Sequence, residues 1–263
     1  MKVFLRWVVL MVAASFLVAG AEPPKTPTKP VIVFVHGAWG GGWQFRKIEP
    51  LMQARGYVVY RPTLTGLGER VHLATRDVGL ETHIDDIVNV IRFENLHDAI
   101  LVGHSYGGMV VTGVADRVPE RIARIVYLDA LLPESGESVA ELEKGRGPGL
   151  IEKAKDGFIA PWWVKPDKPY PRDVPHPAKT LVDKITLTNP AARKIPVVYI
   201  LTVEKGHAAA DDDFAAFADR ARKLNWAVIQ MEGDHNPYWF QPEATAEILD
   251  QACRVVSPVT EKP

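Results

Sequence analysis

Ala99-Ile100-Leu101-Val102-Gly103-His104-Ser105-Tyr106-Gly107 is the stretch on which the fold turns. Its first four residues read as a buried strand, and residues 107–117 read as a helix. Between them lies Gly103-x-Ser105-x-Gly107, in the strand–turn–helix setting that a nucleophile elbow requires. The two glycines permit a tight, strained turn that pushes the serine hydroxyl out at the carboxyl end of the strand. From average glycine and serine usage the bare pattern should occur in roughly one chain in ten of this length. The weight therefore falls on what surrounds it.

On the N-terminal side, Val31-Ile32-Val33-Phe34-Val35 is a continuous apolar run, rich in β-branched residues, of the kind found in strands buried on both faces. It leads directly into His36-Gly37-Ala38-Trp39-Gly40-Gly41-Gly42. A serine hydrolase aims backbone N–H groups at the developing oxyanion, and losing one such donor costs about 2.7–4 kcal/mol of transition-state stabilisation. Tyr106, the residue after the serine, is expected to supply one amide and Ala38, in the glycine-rich loop, the other. His36 is read as ordering that loop.

On the C-terminal side, Gly233-Asp234-His235 follows the last expected strand and precedes the last helix. Both His235 and Ser105 then sit at carboxyl ends of strands, so His235 can serve as general base across the sheet. The chain has eight histidines. His104 is read as the variable position of the elbow, and His72, His83, His97, His176 and His207 as surface or packing residues. No HExxH or other metal-ligand spacing occurs, so neither a metal nor a cofactor is expected.

The third member of a triad has more than one candidate. The chain order serine, acid, histidine calls for a carboxylate after the strand ending at Val203. Glu204 is the first acid there and the first choice. Asp129, at the end of the strand Ile125-Val126-Tyr127-Leu128, is a rival. The run Asp211-Asp212-Asp213 is read as capping the helix that follows, where negative charge meets the positive helix end.

Strands and helices alternate through most of the chain. A helix is expected over residues 43–55, a strand over 57–60, a helix from an N-cap at Thr82 to about Phe93, a strand over 197–203, a helix over 213–224, a strand over 226–231 and a helix over 242–253. This rhythm argues for an α/β fold with a mostly parallel sheet of about six strands, covered by helices on both faces. Between about residues 133 and 190 the rhythm stops, and eight prolines from Pro133 to Pro177 break the segment into short pieces. That segment is read as a small cap inserted into a domain of residues 31–263. Trp39, Trp162, Trp163, Tyr170 and Trp239 could line an apolar pocket beneath it, or simply fill the cap.

The first 21 residues belong to another category. Lys2 and Arg6 precede the apolar stretch Trp7 to Ala19, and Ala19-Gly20-Ala21 supplies a small-residue cleavage site, the pattern of a secretory signal peptide. The stretch falls short of the ~20 residues that a spanning helix needs. Residues 22–30, with four prolines, read as an extended tether. An exported protein is therefore expected, periplasmic or secreted, with no stable membrane insertion after cleavage. The net charge of −1 and the absence of a basic run argue against a nucleic-acid partner. Cys253 is the only cysteine, so no internal disulfide can form, and it is read as a buried small hydrophobe on the last helix.

Taken in order and spacing, these motifs resemble the α/β-hydrolase superfamily. More narrowly they are similar to the branch holding the plant methyl-ester esterases, hydroxynitrile lyases and their bacterial esterase relatives. Arg61-Pro62-Thr63-Leu64-Thr65-Gly66-Leu67-Gly68-Glu69-Arg70 and Leu128-Asp129-Ala130-Leu131-Leu132-Pro133 carry the likeness to the bacterial members. The resemblance covers roughly residues 31–140 and 195–252 and fades across the cap. It implies a serine hydrolase that cleaves small to medium carboxylic esters through an acyl-enzyme on Ser105. Members of the branch often carry aspartate after the penultimate strand, where this chain has Val203-Glu204-Lys205. The lyases carry lysine after the catalytic histidine, where this chain has Asn236. A carbon–carbon lyase or hydrolase on the same triad, and a non-catalytic binding protein on the same fold, are the competing readings.

Overall fold

The computed structural model describes residues 30–143 and 147–254. The expected signal peptide and nearly all of the tether lie outside the described residues. Six parallel strands form one sheet in the order β2-β1-β3-β4-β7-β8, with β1 Val31–Val35, β2 Val58–Tyr60, β3 Ala99–Ser105, β4 Ile122–Ala130, β7 Val197–Val203 and β8 Ala227–Glu232. Between β4 and β7 the short strands β5 (Phe158–Ile159) and β6 (His176–Pro177) pair antiparallel.

Strand alternation sends successive side chains to opposite faces, and both faces of the central strands are buried. Val33, Leu101, Tyr127 and Tyr199 join one core. Ile32, Phe34, Val102, Val126 and Ile200 join the other. Helices α2 (Leu80–Phe93), α3 (Gly107–Arg117) and α7 (Ala215–Lys223) cover the first face. Helices α1 (Glu49–Ala54), α8 (Pro237–Phe240) and α9 (Pro242–Arg254) cover the second. Cys253 is buried there, and desolvation pushes its thiol up to about 12. The sheet and its two helical layers are those expected from the alternation.

Two local expectations differ. The stretch 43–55 divides into a 3-10 turn over Gly42–Lys47 and α1, with Pro50 at the second position of α1, where a missing N–H costs nothing. Helix α2 starts at Leu80, not after Thr82. Asp183, from the segment before β7, accepts the Leu80 N–H at 3.1 Å and so supplies a cap that is remote in sequence.

Residues 133–190 carry the short helices α4 (Val139–Leu142), α5 (Gly147–Glu152) and α6 (Lys179–Val182) besides β5 and β6. The segment is held by contacts to the rest of the fold. Asp116, at the end of α3, accepts the N–H groups of Thr188 and Asn189 at 3.0 and 2.8 Å. Arg220 in α7 donates to the Leu132 carbonyl at 2.7 Å and bridges to Glu137.

Candidate active site

Ser105 closes β3 with φ 53°, in the left-handed region, and α3 begins two residues later. A non-glycine residue held there costs of order 1–3 kcal/mol, so neighbours must enforce it. Leu131 N–H donates to the Ser105 carbonyl at 3.0 Å, which ties the turn to the residue just past β4. A Cβ at Gly107 would run into the carbonyl of Val35, and one at Gly37 would lie 2.9 Å from Ser105 Cβ. Both glycines are needed for close approach: the loop after β1 rests directly on the elbow.

The carboxylate beside His235 belongs to Asp129. His104 pairs with Leu128 and Ser105 with Ala130, so β4 carries one extra residue, Asp129, between them. That residue has φ 46°. A bulge of this kind re-aims a side chain. Asp129 Oδ2 accepts from His235 Nδ1 at 2.7 Å, and Oδ1 accepts the Thr202 N–H at 3.0 Å. The carboxylate is buried yet bonded through both oxygens, the condition for keeping a charge inside. With Nδ1–H committed to Asp129, the neutral imidazole leaves Nε2 as its basic atom.

Glu204, expected to reach the histidine, does not meet it. Its side chain is 63% exposed and lies 3.8 Å from His207 Nδ1. The cause is local: β7 ends at Val203, and the Glu204 carbonyl accepts the His207 N–H at 3.0 Å, so the chain turns at once. Glu204 stands on the wall of the cavity, while Nδ1 of His235 is taken by Asp129. Asp212 accepts the Phe214 N–H at 2.9 Å and so orders the turn before α7, but the N-cap of α7 is Phe214 and no side chain caps it, so the aspartate run does not take the capping role expected of it.

Rings hold His235 from two sides. Phe214 stacks on it at 4.8 Å with 13° between planes, and the His104 ring lies 4.6 Å away. His104 Nε2 is 2.7 Å from the His235 carbonyl, and Tyr238 Oη is 3.3 Å from His104 Nδ1. Desolvation first, and nearby His235 second, hold the His104 pKa well below that of ordinary histidine. It stays neutral and donates from Nε2. His104 is thus a buried support, not the indifferent middle of a motif. Strand alternation carried the signal, since His104 shares a parity with the inward-facing Ile100 and Val102.

The loop after β1 is ordered from below. His36 is fully buried, with Nδ1 2.8 Å from the Gly37 carbonyl and Nε2 accepting the Leu64 N–H at 3.1 Å. Burial pushes its pKa down to about 4. His83, read from sequence among surface or packing residues, is buried: its Nδ1 is 2.9 Å from the Tyr106 hydroxyl and its Nε2 2.9 Å from the Thr65 carbonyl. His176 is also buried, whereas His72, His97 and His207 are exposed. Ala38, Tyr106, Ser105 and His235 line one cavity of about 690 Å³, with Trp39, Trp162 and Trp163 on its wall.

A family model described as the alpha/beta hydrolase family matches residues 32–248. The chain belongs to the alpha/beta hydrolase family. A carbendazim hydrolyzing esterase of Nocardioides sp. (strain SG-4G) is 50% identical over 129 residues, 49% of this chain and 53% of that protein. The chain thus spans about half the length of that relative. The pFDCC methylesterase MES16 of Arabidopsis thaliana is 29% identical over 251 residues, 81% of this chain and 91% of that protein. Among solved structures, an extracellular alpha/beta-hydrolase from a Paenibacillus species superposes with a TM-score of 0.71 at 24% identity, covering 86% of this chain and 100% of that one. That likeness is one of fold. The plant and bacterial esterase branch expected from the motifs is the one in which these relatives lie.

Proposed function

We propose that the chain hydrolyses small to medium carboxylic esters through an acyl-enzyme on Ser105. The observation that carries this reading is the 2.7 Å pair of Asp129 Oδ2 and His235 Nδ1, with His235 lining the same cavity as the strained Ser105. His235 Nε2 takes the proton of Ser105 Oγ as that oxygen bonds the ester carbonyl carbon. Asp129 holds the tautomer and stabilises the imidazolium that forms. The Ala38 and Tyr106 amides receive the negative charge on the former carbonyl oxygen. Collapse breaks the bond to the alkoxy oxygen, which leaves with the proton from His235. Water then repeats the sequence against the acyl-enzyme, its proton passing to His235 and on to Ser105.

The esterases among the relatives support the reaction class. The aromatic wall and the cavity size support substrates of drug-like dimensions or below, in the range of about 300–1,000 Å³ common to small-molecule sites. Asn236, in place of a lysine, accepts from the Tyr238 hydroxyl at 2.9 Å and brings no cation beside the histidine. The test is hydrolysis of p-nitrophenyl acetate by Ser105→Ala. A fall in kcat of at least about 10³-fold is expected. Undiminished hydrolysis in folded, purified variant would end this reading.

A further inference from the structure

Trp39 is where the loop after β1 meets the segment between β4 and β7, and three of its polar groups are tied to that segment. Its backbone N–H donates to His176 Nδ1 at 3.1 Å, its carbonyl accepts the Val174 N–H at 2.9 Å, and its indole Nε1–H donates to the Ile159 carbonyl at 2.9 Å. Trp39 also has φ 63°, which for a bulky side chain persists only where surroundings over-determine it. The three bonds supply that constraint. The Trp39 N–H belongs to the same rigid peptide unit as the Ala38 carbonyl. Fixing it fixes ψ of Ala38, the residue whose own amide the esterase reading above assigns to the oxyanion.

His176 is fully buried, and its other nitrogen is also engaged. Nε2 lies 2.7 Å from Thr180 Oγ1, and that hydroxyl donates to the Pro177 carbonyl at 2.8 Å. The hydroxyl proton is therefore spent, so Nε2 carries the hydrogen and Nδ1 is the acceptor that Trp39 needs. Burial, with His83 and His36 nearby, holds the imidazole neutral. The same ring meets Tyr106 edge to face at 5.2 Å and 78°. In the same reading Tyr106 carries the second oxyanion amide. One imidazole from the inserted segment thus touches both arms of the oxyanion site.

We propose that His176 is a positioning residue for ester hydrolysis, which sets the Ala38 and Tyr106 amides by accepting the Trp39 N–H and packing on Tyr106. The inference rests on the esterase reading above. Donors aimed at an oxyanion act on the transition state more than on bound substrate, so the effect belongs in kcat.

The test uses the full chain with His176→Phe, which keeps a ring but loses the acceptor, and Thr180→Val, which removes the group that sets the tautomer. For each, kcat and KM with p-nitrophenyl acetate are measured per folded molecule, together with affinity for a trifluoromethyl ketone. That ketone takes up Ser105 Oγ at its carbonyl carbon, places negative charge on its oxygen and leaves the serine proton on His235. His176→Phe should lower kcat about ten- to hundredfold, below the full 10²–10³-fold loss of a donor, with KM nearly constant. Ketone affinity should fall by the same factor as kcat/KM, and Thr180→Val should show the same pattern more weakly. Wild-type kcat and ketone affinity in folded His176→Phe would overturn the proposal, as would a loss confined to thermal stability or to KM. Should His176→Phe fail to fold, unchanged kcat in Thr180→Val overturns it. Activity retained by Ser105→Ala would sink the esterase reading itself, whereas a dead Ser105→Ala beside fully active His176 variants sinks the positioning role alone.

Discussion

Asp129 Oδ2 lies 2.7 Å from His235 Nδ1, and Asp129 is the one residue by which β4 outruns β3 at the elbow. The same bulge brings Ser105 opposite Ala130 and lets Leu131 N–H bond the Ser105 carbonyl. One irregularity in the sheet therefore places the carboxylate beside His235 and braces Ser105.

Asp129→Asn should lower kcat by on the order of 10⁴-fold while folded protein survives, because an amide no longer holds the tautomer with Nε2 free. Glu204→Gln, on an exposed side chain, should keep kcat within about twofold of wild type. Kinetics on both purified variants decide the matter. A collapse in Glu204→Gln with Asp129→Asn spared would move the acid to Glu204.

Most of the fold was legible because strands buried on both faces write themselves as continuous apolar runs, as in residues 31–35 and 197–203. The serine was legible because it follows such a run at a glycine, and the histidine because a strand-like stretch, 226–231, is followed shortly by Gly233. The acid was not. Chain order pointed to the end of β7, but a bulge is a pairing event between two strands, and no residue type at 128–130 announces it. The N-terminal cap of α2 was hidden for a similar reason, since Asp183 lies 103 residues from Leu80. His83 was legible in principle, three residues after Leu80 and four before Ile87 on the buried stripe of α2. His176 sits among prolines, where no periodicity marks an inward face.

Phe214→Ala should reduce kcat by up to about tenfold. Its ring lies flat on His235, and such aromatic contacts contribute about 0.5–1.5 kcal/mol beyond area burial. Without it the imidazole has more freedom to turn away from Ser105. Rates per folded molecule check this, and an unchanged kcat would show that Asp129 and His104 suffice to orient the ring.

Acid should destabilise the fold well above the carboxylate range. His36 and His83 are pushed down to about 4, mainly by desolvation, whereas in the unfolded chain they titrate near 6.5. Between those values the unfolded state binds protons that the folded state refuses. Their contribution is complete above pH ~6.5, shrinks as pH falls and is gone below about 4. At 1.36 kcal/mol per unit this is ~3 kcal/mol for each, a large share of a total of roughly 5–15 kcal/mol. Urea unfolding at neutral pH and near pH 4 should show the drop, and His83→Gln should flatten the slope. A stability constant across that window would contradict the buried, neutral state of these rings.

Export is proposed from the pattern of Lys2, Arg6, the apolar stretch and Ala19-Gly20-Ala21. Expressed at full length in a Gram-negative host, the protein should appear in the periplasm or medium with Glu22 as its first residue. N-terminal sequencing reads this directly. Full-length protein retained in the cytoplasm would set the export proposal aside.

The central claim is a covalent acyl group on Ser105. Wild-type protein mixed with p-nitrophenyl acetate and quenched in acid within the first turnovers should gain the mass of one acetyl group, and peptide mapping should place it on Ser105. Asp129→Asn, slowed in both half-reactions, should carry the same adduct on the same residue. Turnover with no adduct on Ser105 at any quench time, or an adduct mapped to another residue, would contradict the account.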